Sequence, residues 1–205
     1  IYDNTATGNW QGGAGASLAR CTFSYNTVKN NSAPNEGEGG GLNIGQGTRV
    51  IHNTIIGNTS SSGGGGVTMD DCNNYIAYNI FYGNSTPDDG GALHCEGGGP
   101  ESNDSIIYNI IVKNYSSKGG IFWDSYGGTI LYNIIAENYT TGSHGGGGIR
   151  FDDRQEYIEI NYNLMNITIV EQEKKNLASN QNFQIYNYFS FKLFTKKQSN
   201  YKNKK

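Results

Sequence analysis

The feature that most constrains this chain is a frame that returns without gaps. Residues 70–84 read DDCNNYIAYNIFYGN, and the frame recurs as DSYGGTILYNIIAEN at 124–138 and DDRQEYIEINYNLMN at 152–166. An acidic residue opens each copy, an Asn follows nine positions later, and a second Asn stands five beyond that. A further landmark is a glycine pair followed by apolar, any, apolar: GGLNI (40–44), GGVTM (65–69), GALHC (91–95), GGIFW (119–123) and GGIRF (147–151). GGAGA at 12–16 reads as an incomplete version. Units repeating at this spacing cannot bury their apolar faces alone and must stack on one another.

Spacing selects the kind of stack. An apolar residue precedes an Asn by three positions in Ile1-Asn4, Phe23-Asn26, Ile55-Asn58, Phe81-Asn84, Ile111-Asn114 and Ile135-Asn138, and these Asn are 22, 32, 26, 30 and 24 residues apart. One loop per repeat therefore swells while the frame holds, as in a solenoid with surface loops. Helical periodicity is absent, whereas the apolar triplets have period two. That period puts Leu42, Val67, Leu93, Ile121 and Ile149 in one inward column and Ile44, Met69, Cys95, Trp123 and Phe151 in a second. The expectation is an all-β, right-handed parallel β-helix of about six coils, with strands about 4.8 Å apart. Two Asn columns, Asn53/Asn79/Asn109/Asn133/Asn161 and Asn58/Asn84/Asn114/Asn138/Asn166, are expected to form side-chain ladders at the turns. The glycine pairs are expected to supply backbone angles closed to other residues.

The pattern covers residues 1–168, leaving 169–205 as a Lys/Asn-rich tail, expected to be loosely packed or disordered, with a capping strand as the other option. The tail holds eight lysines against Glu171 and Glu173, so it carries +6 of a net −3 and the repeat region −9. So acidic a body is a poor match for nucleic acid, whose phosphates call for Lys and Arg. No apolar run is long enough for a transmembrane helix. The first residue is Ile rather than Met, as in a processed protein or a fragment of a longer array. Cys21, Cys72 and Cys95 have no zinc-type spacing, and Cys72 with Cys95 is the pair that adjacency would allow to bridge.

FSYN (23–26), FYGN (81–84) and GGAL (90–93) resemble the paired FxxN and GGA(I/L) motifs of polymorphic outer-membrane proteins. IIGN, IVKN, IAEN, GGGL, GGGV and GGGI are conservative variants, so that the resemblance spans about residues 1–166. Those proteins are autotransporter-like, with β-helical adhesin passengers, and the same superfold carries the pectate-lyase-like enzymes. The resemblance implies an extracellular or cell-surface adhesin, passenger or scaffold, facing a protein or polysaccharide on a host or neighbouring cell.

Several columns offer chemistry. Asp70, Glu96, Asp124 and Asp152 follow the inward pair in consecutive coils, with Asp71 and Asp153 alongside. Carboxylates about 5 Å apart repel by roughly 1 kcal/mol per pair in water, which fanning into solvent, raised pKa values or a bound cation relieves. An all-oxygen set suits Ca²⁺, although Asp and Glu also simply end strands and cap turns. Resemblance to pectate-lyase-like enzymes implies an alternative, a polysaccharide lyase or glycoside hydrolase, with Asp124, Asp152 and Arg150 as catalytic candidates. The intervening column Asn43, Thr68, His94, Phe122, Arg150 is read as outward; His94, Phe122 and Arg150 would form a carbohydrate-binding face, unless they are ordinary solvent-exposed positions. Tyr78, Tyr108 and Tyr132, beside Ile80, Ile110 and Ile134, form either an exposed apolar stripe or core, and core is preferred. Sequons at Asn58, Asn84, Asn114, Asn138 and Asn166 fall in the expected ladder, leaving Asn30 and Asn103 as possible glycan acceptors.

Overall fold

The computed structural model describes residues 1–8, 12–71, 73–99, 102–142, 145–152, 157–165 and 184–186. It is a parallel β-solenoid of about five turns, with no helix among the described residues. Each turn contributes a strand to three sheets in succession. The first sheet stacks Ala16–Leu18, Leu42–Ile44, Val67–Met69, Gly90–Gly97, Gly119–Ser125 and Gly146–Phe151. The second stacks Thr22–Ser24, Arg49–Ile51, Tyr75–Ala77, Asp104–Ile107, Gly127–Leu131 and Tyr157–Asn161, with Gln184–Tyr186 on its end. The third stacks Thr27–Lys29, Thr54–Ile56, Ile80–Tyr82, Ile110–Val112, Ile134–Ala136 and Leu164–Met165. Short loop strands also pair, Ser32–Glu38 with Thr59–Ser62 and Tyr115–Ser116 with Tyr139–Thr140.

Like lies on like along the axis. Leu42 pairs in register with Val67, Val67 with Leu93, Leu93 with Ile121 and Ile121 with Ile149. The second column, Ile44 to Phe151, keeps the same register. In the third sheet Ile55, Phe81, Ile111 and Ile135 align. A further column, Val50, Ile76, Ile106, Ile130 and Ile160, comes from the second sheet. The core is thus a set of continuous apolar columns, with Trp123 and Phe81 its largest fully buried members. Burial of such side chains contributes about 1.5–3 kcal/mol each.

At both corners flanking the third sheet the chain turns through one left-handed residue followed by a ladder Asn. Before Asn53, Asn79, Asn109, Asn133 and Asn163 those residues are His52, Tyr78, Tyr108, Tyr132 and Tyr162, with φ of 55–58°. A bulky residue at such an angle is strained, and the ladder holds it there. Asn84 illustrates the bonding: its Oδ1 accepts from the Asn58 backbone N–H (3.0 Å) and from Asn58 Nδ2 (2.9 Å), while its own Nδ2 donates to Asn114 Oδ1 (3.0 Å) and Ile55 O (2.9 Å).

The ladders correct the sequence reading in two places. Asn133 bonds to Asn163, not Asn161, at 2.8 Å from its backbone nitrogen. The Asn26 N–H donates to Asn53 Oδ1 (2.9 Å), so FSYN belongs to the corner after the second sheet, and Val28-Asn31 fills its place in the other column. Coil spacings at that second column, from Asn4 through Asn31, Asn58, Asn84 and Asn114 to Asn138, then become 27, 27, 26, 30 and 24 residues. Four of the ladder sequons lie in it, and Asn166 lies outside the described residues.

The glycine pairs act through close approach rather than through φ. A Cβ on Gly66 would sit 2.6 Å from Ala92 O and 3.3 Å from the Phe81 ring, so the strand entry has room for hydrogen only. The incomplete motif near the N-terminus pairs two residues later than GGAGA suggests, with Ala16 opposite Leu42 and Leu18 opposite Ile44. Cys95 is a buried free thiol, its Sγ 3.4 Å from Met69 Sδ; Cys72, the other member of the pair that adjacency would allow, lies outside the described residues. In the tail, Gln184–Tyr186 lie parallel on Tyr157–Asn161, as a capping strand would, and the rest of 169–205 is outside the described residues.

Candidate functional site

Two faces of the solenoid gather side chains with chemical potential. The first is the outer surface of the first sheet. Asn43, Thr68, His94, Phe122 and Arg150 stack there in strict register. Asn43, Thr68, His94 and Phe122 do not face open solvent, which corrects the sequence reading: Phe122 is 2% and His94 4% exposed, and only Arg150 is half-buried. Loops preceding the strands fold back over them. Gly64 donates its N–H to Thr68 Oγ1 (2.7 Å), Asp89 approaches His94, and the Lys118 ammonium lies 4.6 Å from the centre of the Phe122 ring. Phe122 stacks on His94 at 5.2 Å and has the Arg150 guanidinium 5.7 Å away. The three residues read as a sugar-binding set are therefore neighbours, but no Phe122 ring face is open for a sugar to stack on.

The acidic column stands at the edge of this covered face. Glu96 is in register with Asp124, the Asp70 N–H donates to Ile44 O, and the Asp152 N–H donates to Trp123 O, so the four carboxylates follow successive strands as the repeats imply. Their side chains do not all converge. One carboxylate oxygen each from Glu38, Asp70 and Glu96 lie within 4.8 Å of one another, and neither Asp124 nor Asp152 belongs to that group. Asp153 lies outside the described residues. Glu38 ends the loop strand Ser32–Glu38 and arrives from the preceding coil.

Electrostatics mark the same spot. At this separation each like-charged pair costs about 1 kcal/mol in water and several-fold more where water is partly excluded. Burial, then the charges of Glu96, Asp70 and Asp89, push the Glu38 carboxyl up to about 7. Burial also raises Asp70, against the hydrogen bond it accepts from Asn43 Nδ2 (2.8 Å). Burial lowers His94, which favours the neutral imidazole, although Asp89 pulls the other way. Its Nδ1 makes no hydrogen bond and sits 3.5 Å from Asp89 Oδ2 and 3.8 Å from Glu96 Oε2. Lys118 is taken up by Asp88 and Asp89.

The second face is the outer surface of the third sheet with its adjoining corner. Tyr25, His52, Tyr78, Tyr108, Tyr132 and Tyr162 form an unbroken stack with ring centroids 4.8–5.0 Å apart. Beside them Ile80, Ile110, Ile134 and Leu164 run in register, and Ile56, Tyr82, Val112 and Ala136 make the next outward column. Tyr108 is 43% and Ile110 41% exposed, and Tyr25, Tyr78, Tyr132 and Tyr162 in the one column and Ile80, Ile134 and Leu164 in the other are exposed at least as much. The preferred core assignment for the tyrosines is thus incorrect, and the stripe is external. The left-handed corner residue turns its side chain away from the core, while the next residue, Asn, turns inward.

Sequence reasoning missed Glu38, which lies in a loop of variable length and faces Gly12 and Ser62, not carboxylates, in the neighbouring coils. It also missed Tyr25, His52 and Tyr162 as members of the ring stack. A signal for those three exists: an aromatic-Asn dipeptide, YN or HN, occurs at 25–26, 52–53, 78–79, 108–109, 132–133 and 162–163, and once more in the tail sequence at 186–187. Comparison with family models, with curated proteins and with solved structures finds no match to this chain.

Proposed function

We propose that this chain is an extracellular or surface-displayed β-solenoid module, an adhesin, passenger or scaffold, that docks a protein of a host or neighbouring cell on its third sheet. The observation that carries this reading is the exposed apolar face, in which a ring stack, an aliphatic column and a second column of Ile56, Tyr82, Val112 and Ala136 repeat at one pitch over four or more coils. Contiguous apolar surface of this kind marks an interaction site. A protein is preferred to a polysaccharide because the tyrosine rings already use their faces on one another, at 4° to 8° between planes from Tyr108 to Tyr162. Only ring edges and hydroxyls remain, next to bare Ile side chains, which suit an apolar protein surface. The resemblance to polymorphic outer-membrane repeats supports the same reading.

The lyase or hydrolase alternative requires Arg150 beside an exposed aromatic in an open groove. Phe122 lies under its loop, so the geometry favours the scaffold. Fold alone does not decide, since one fold hosts both uses.

Purified chain should be tested for binding to immobilised collagen, fibronectin and laminin and, in parallel, to a glycan array. Saturable binding to at least one protein is expected. Ile110→Glu and Tyr108→Ser should each weaken it at least tenfold, while Glu36→Gln, at an exposed position of the loop strand Ser32–Glu38, leaves it unchanged. Binding to glycans alone, or binding indifferent to the Ile110 and Tyr108 changes, contradicts the proposal.

A further inference from the structure

Apart from the docking face, the covered surface of the first sheet contains a site that the repeats alone do not specify. Glu38, Asp70 and Glu96 come from three successive coils and bring a carboxylate oxygen each within 4.8 Å of the others. Among the described residues no Lys or Arg forms an ion pair with Glu38 or Asp70. Asn43 Nδ2 binds Asp70 Oδ2 at 2.8 Å and fixes that carboxylate.

Acidic residues crowded on a surface need no ligand, but a second group here points to one. The His94 side chain is 5% exposed, and its Nδ1 makes no hydrogen bond although it lies 3.8 Å from Glu96 Oε2 and 3.5 Å from Asp89 Oδ2. A buried ring nitrogen directed at carboxylates without a hydrogen bond is costly unless something stands between them. A cation carrying a water ligand meets both needs, with the carboxylates on the metal and the water on Nδ1.

We propose that Glu38, Asp70 and Glu96 hold a divalent cation of the Ca²⁺ class, with His94 receiving a hydrogen bond from a water on that ion. Three carboxylates with no thiolate supply the hard oxygen ligands that Ca²⁺ prefers, and waters complete a set of six to eight. The ion ties the loop strand Ser32–Glu38 of one coil to the strand ends of the next two coils. It thereby makes the position of that loop strand dependent on a divalent cation. This proposal is independent of the docking face.

The test uses the full chain, freed of metal with a chelator and titrated with CaCl₂, and in parallel with MgCl₂ and ZnCl₂, by calorimetry and thermal melting. One saturable Ca²⁺ site is expected, with Tm rising by about 5–10 °C at a hundredfold excess over Kd. Glu38→Gln and Asp70→Asn should each weaken Ca²⁺ at least tenfold. Without metal both should melt at or above the wild-type temperature, because a like-charge contact is relieved. Glu137→Gln keeps the full response. No saturable shift, a shift that survives Glu38→Gln, or a site preferring Zn²⁺ to Ca²⁺ overturns the proposal.

Discussion

Replacing Asn84 with alanine is expected to remove about 3–6 kcal/mol of stability, a large share of what a domain of this size possesses. The Asn84 side chain is fully buried and makes four hydrogen bonds, two accepted from Asn58 and two donated, to Ile55 O and Asn114 Oδ1. Truncation leaves the Asn58 N–H, one Nδ2 hydrogen of Asn58 and the Ile55 carbonyl without these partners. Each buried orphan costs about 1–3 kcal/mol. Asn84→Asp separates the ladder's two roles. It keeps the acceptor, loses both donors and buries a charge, so it should destabilise strongly at neutral pH and less in acid, where the carboxyl can donate. Urea unfolding followed by circular dichroism checks both; a loss below 1 kcal/mol for Asn84→Ala would mean that the ladder is ornamental.

The opposite sign is expected at Asp104. Thr48 donates its N–H to Asn74 Oδ1 (3.1 Å) and Asn74 donates its own to Asp104 Oδ1 (2.8 Å), so Asp104 occupies the place where another Asn would continue a short third ladder. It is buried, and burial raises its carboxyl from 3.8 to about 6 against the hydrogen bonds from Asn74 and Ser125. The folded state thus holds this proton more tightly than the unfolded chain. Stability is full below pH 3.8, falls as pH rises between 3.8 and 6, and stays reduced above that. Two pKa units correspond to about 3 kcal/mol. Asp104→Asn keeps the acceptor for Asn74 and carries no charge, so it should be more stable than wild type by up to about 3 kcal/mol at pH 8 and equal to it near pH 3.5. Taking the difference between variant and wild type separates Asp104 from the Glu38 carboxyl, which titrates higher. A variant no more stable at pH 8 than at pH 3.5, relative to wild type, contradicts this account of the buried carboxyl.

Much of the fold was legible because the side-chain period of a strand is two and the coils are similar. Leu42 through Ile149 and Ile44 through Phe151 could be aligned from apolar triplets alone, and the structure keeps that register. The errors have a common origin. Both corners of the third sheet carry the same signature, an apolar residue three before an Asn, so Phe23-Asn26 could be assigned to the wrong corner. In the last repeat the loop after the first sheet is longer: Phe151 to Asn163 spans twelve positions where Trp123 to Asn133 spans ten. Asn161 then falls nine after Asp152 by coincidence. The YN dipeptide would have fixed both registers, because the left-handed corner accepts a large exposed ring and the ladder position demands Asn.

The candidate sites were less legible for a different reason. Repeats encode what stacks, whereas loops of unequal length decide what covers the stack. His94 and Phe122 alternate with core positions and so read as exposed, yet Asp89 and Lys118 fold over them from loops that have no period. Glu38 completes the acidic group from such a loop, and for that reason Asp70 and Glu96 were visible in the sequence, as members of a column with Asp124 and Asp152, while their third partner was not.

Side-chain amide hydrogen exchange of the ladder asparagines, followed by NMR, tests the central claim, that coils stack in register on two buried Asn columns. The account predicts that the Nδ2 hydrogens of Asn58, Asn84, Asn109 and Asn114 exchange far more slowly than a free amide, at rates limited by opening of the coils. Exchange at the rate of solvent-exposed asparagine under native conditions would contradict it.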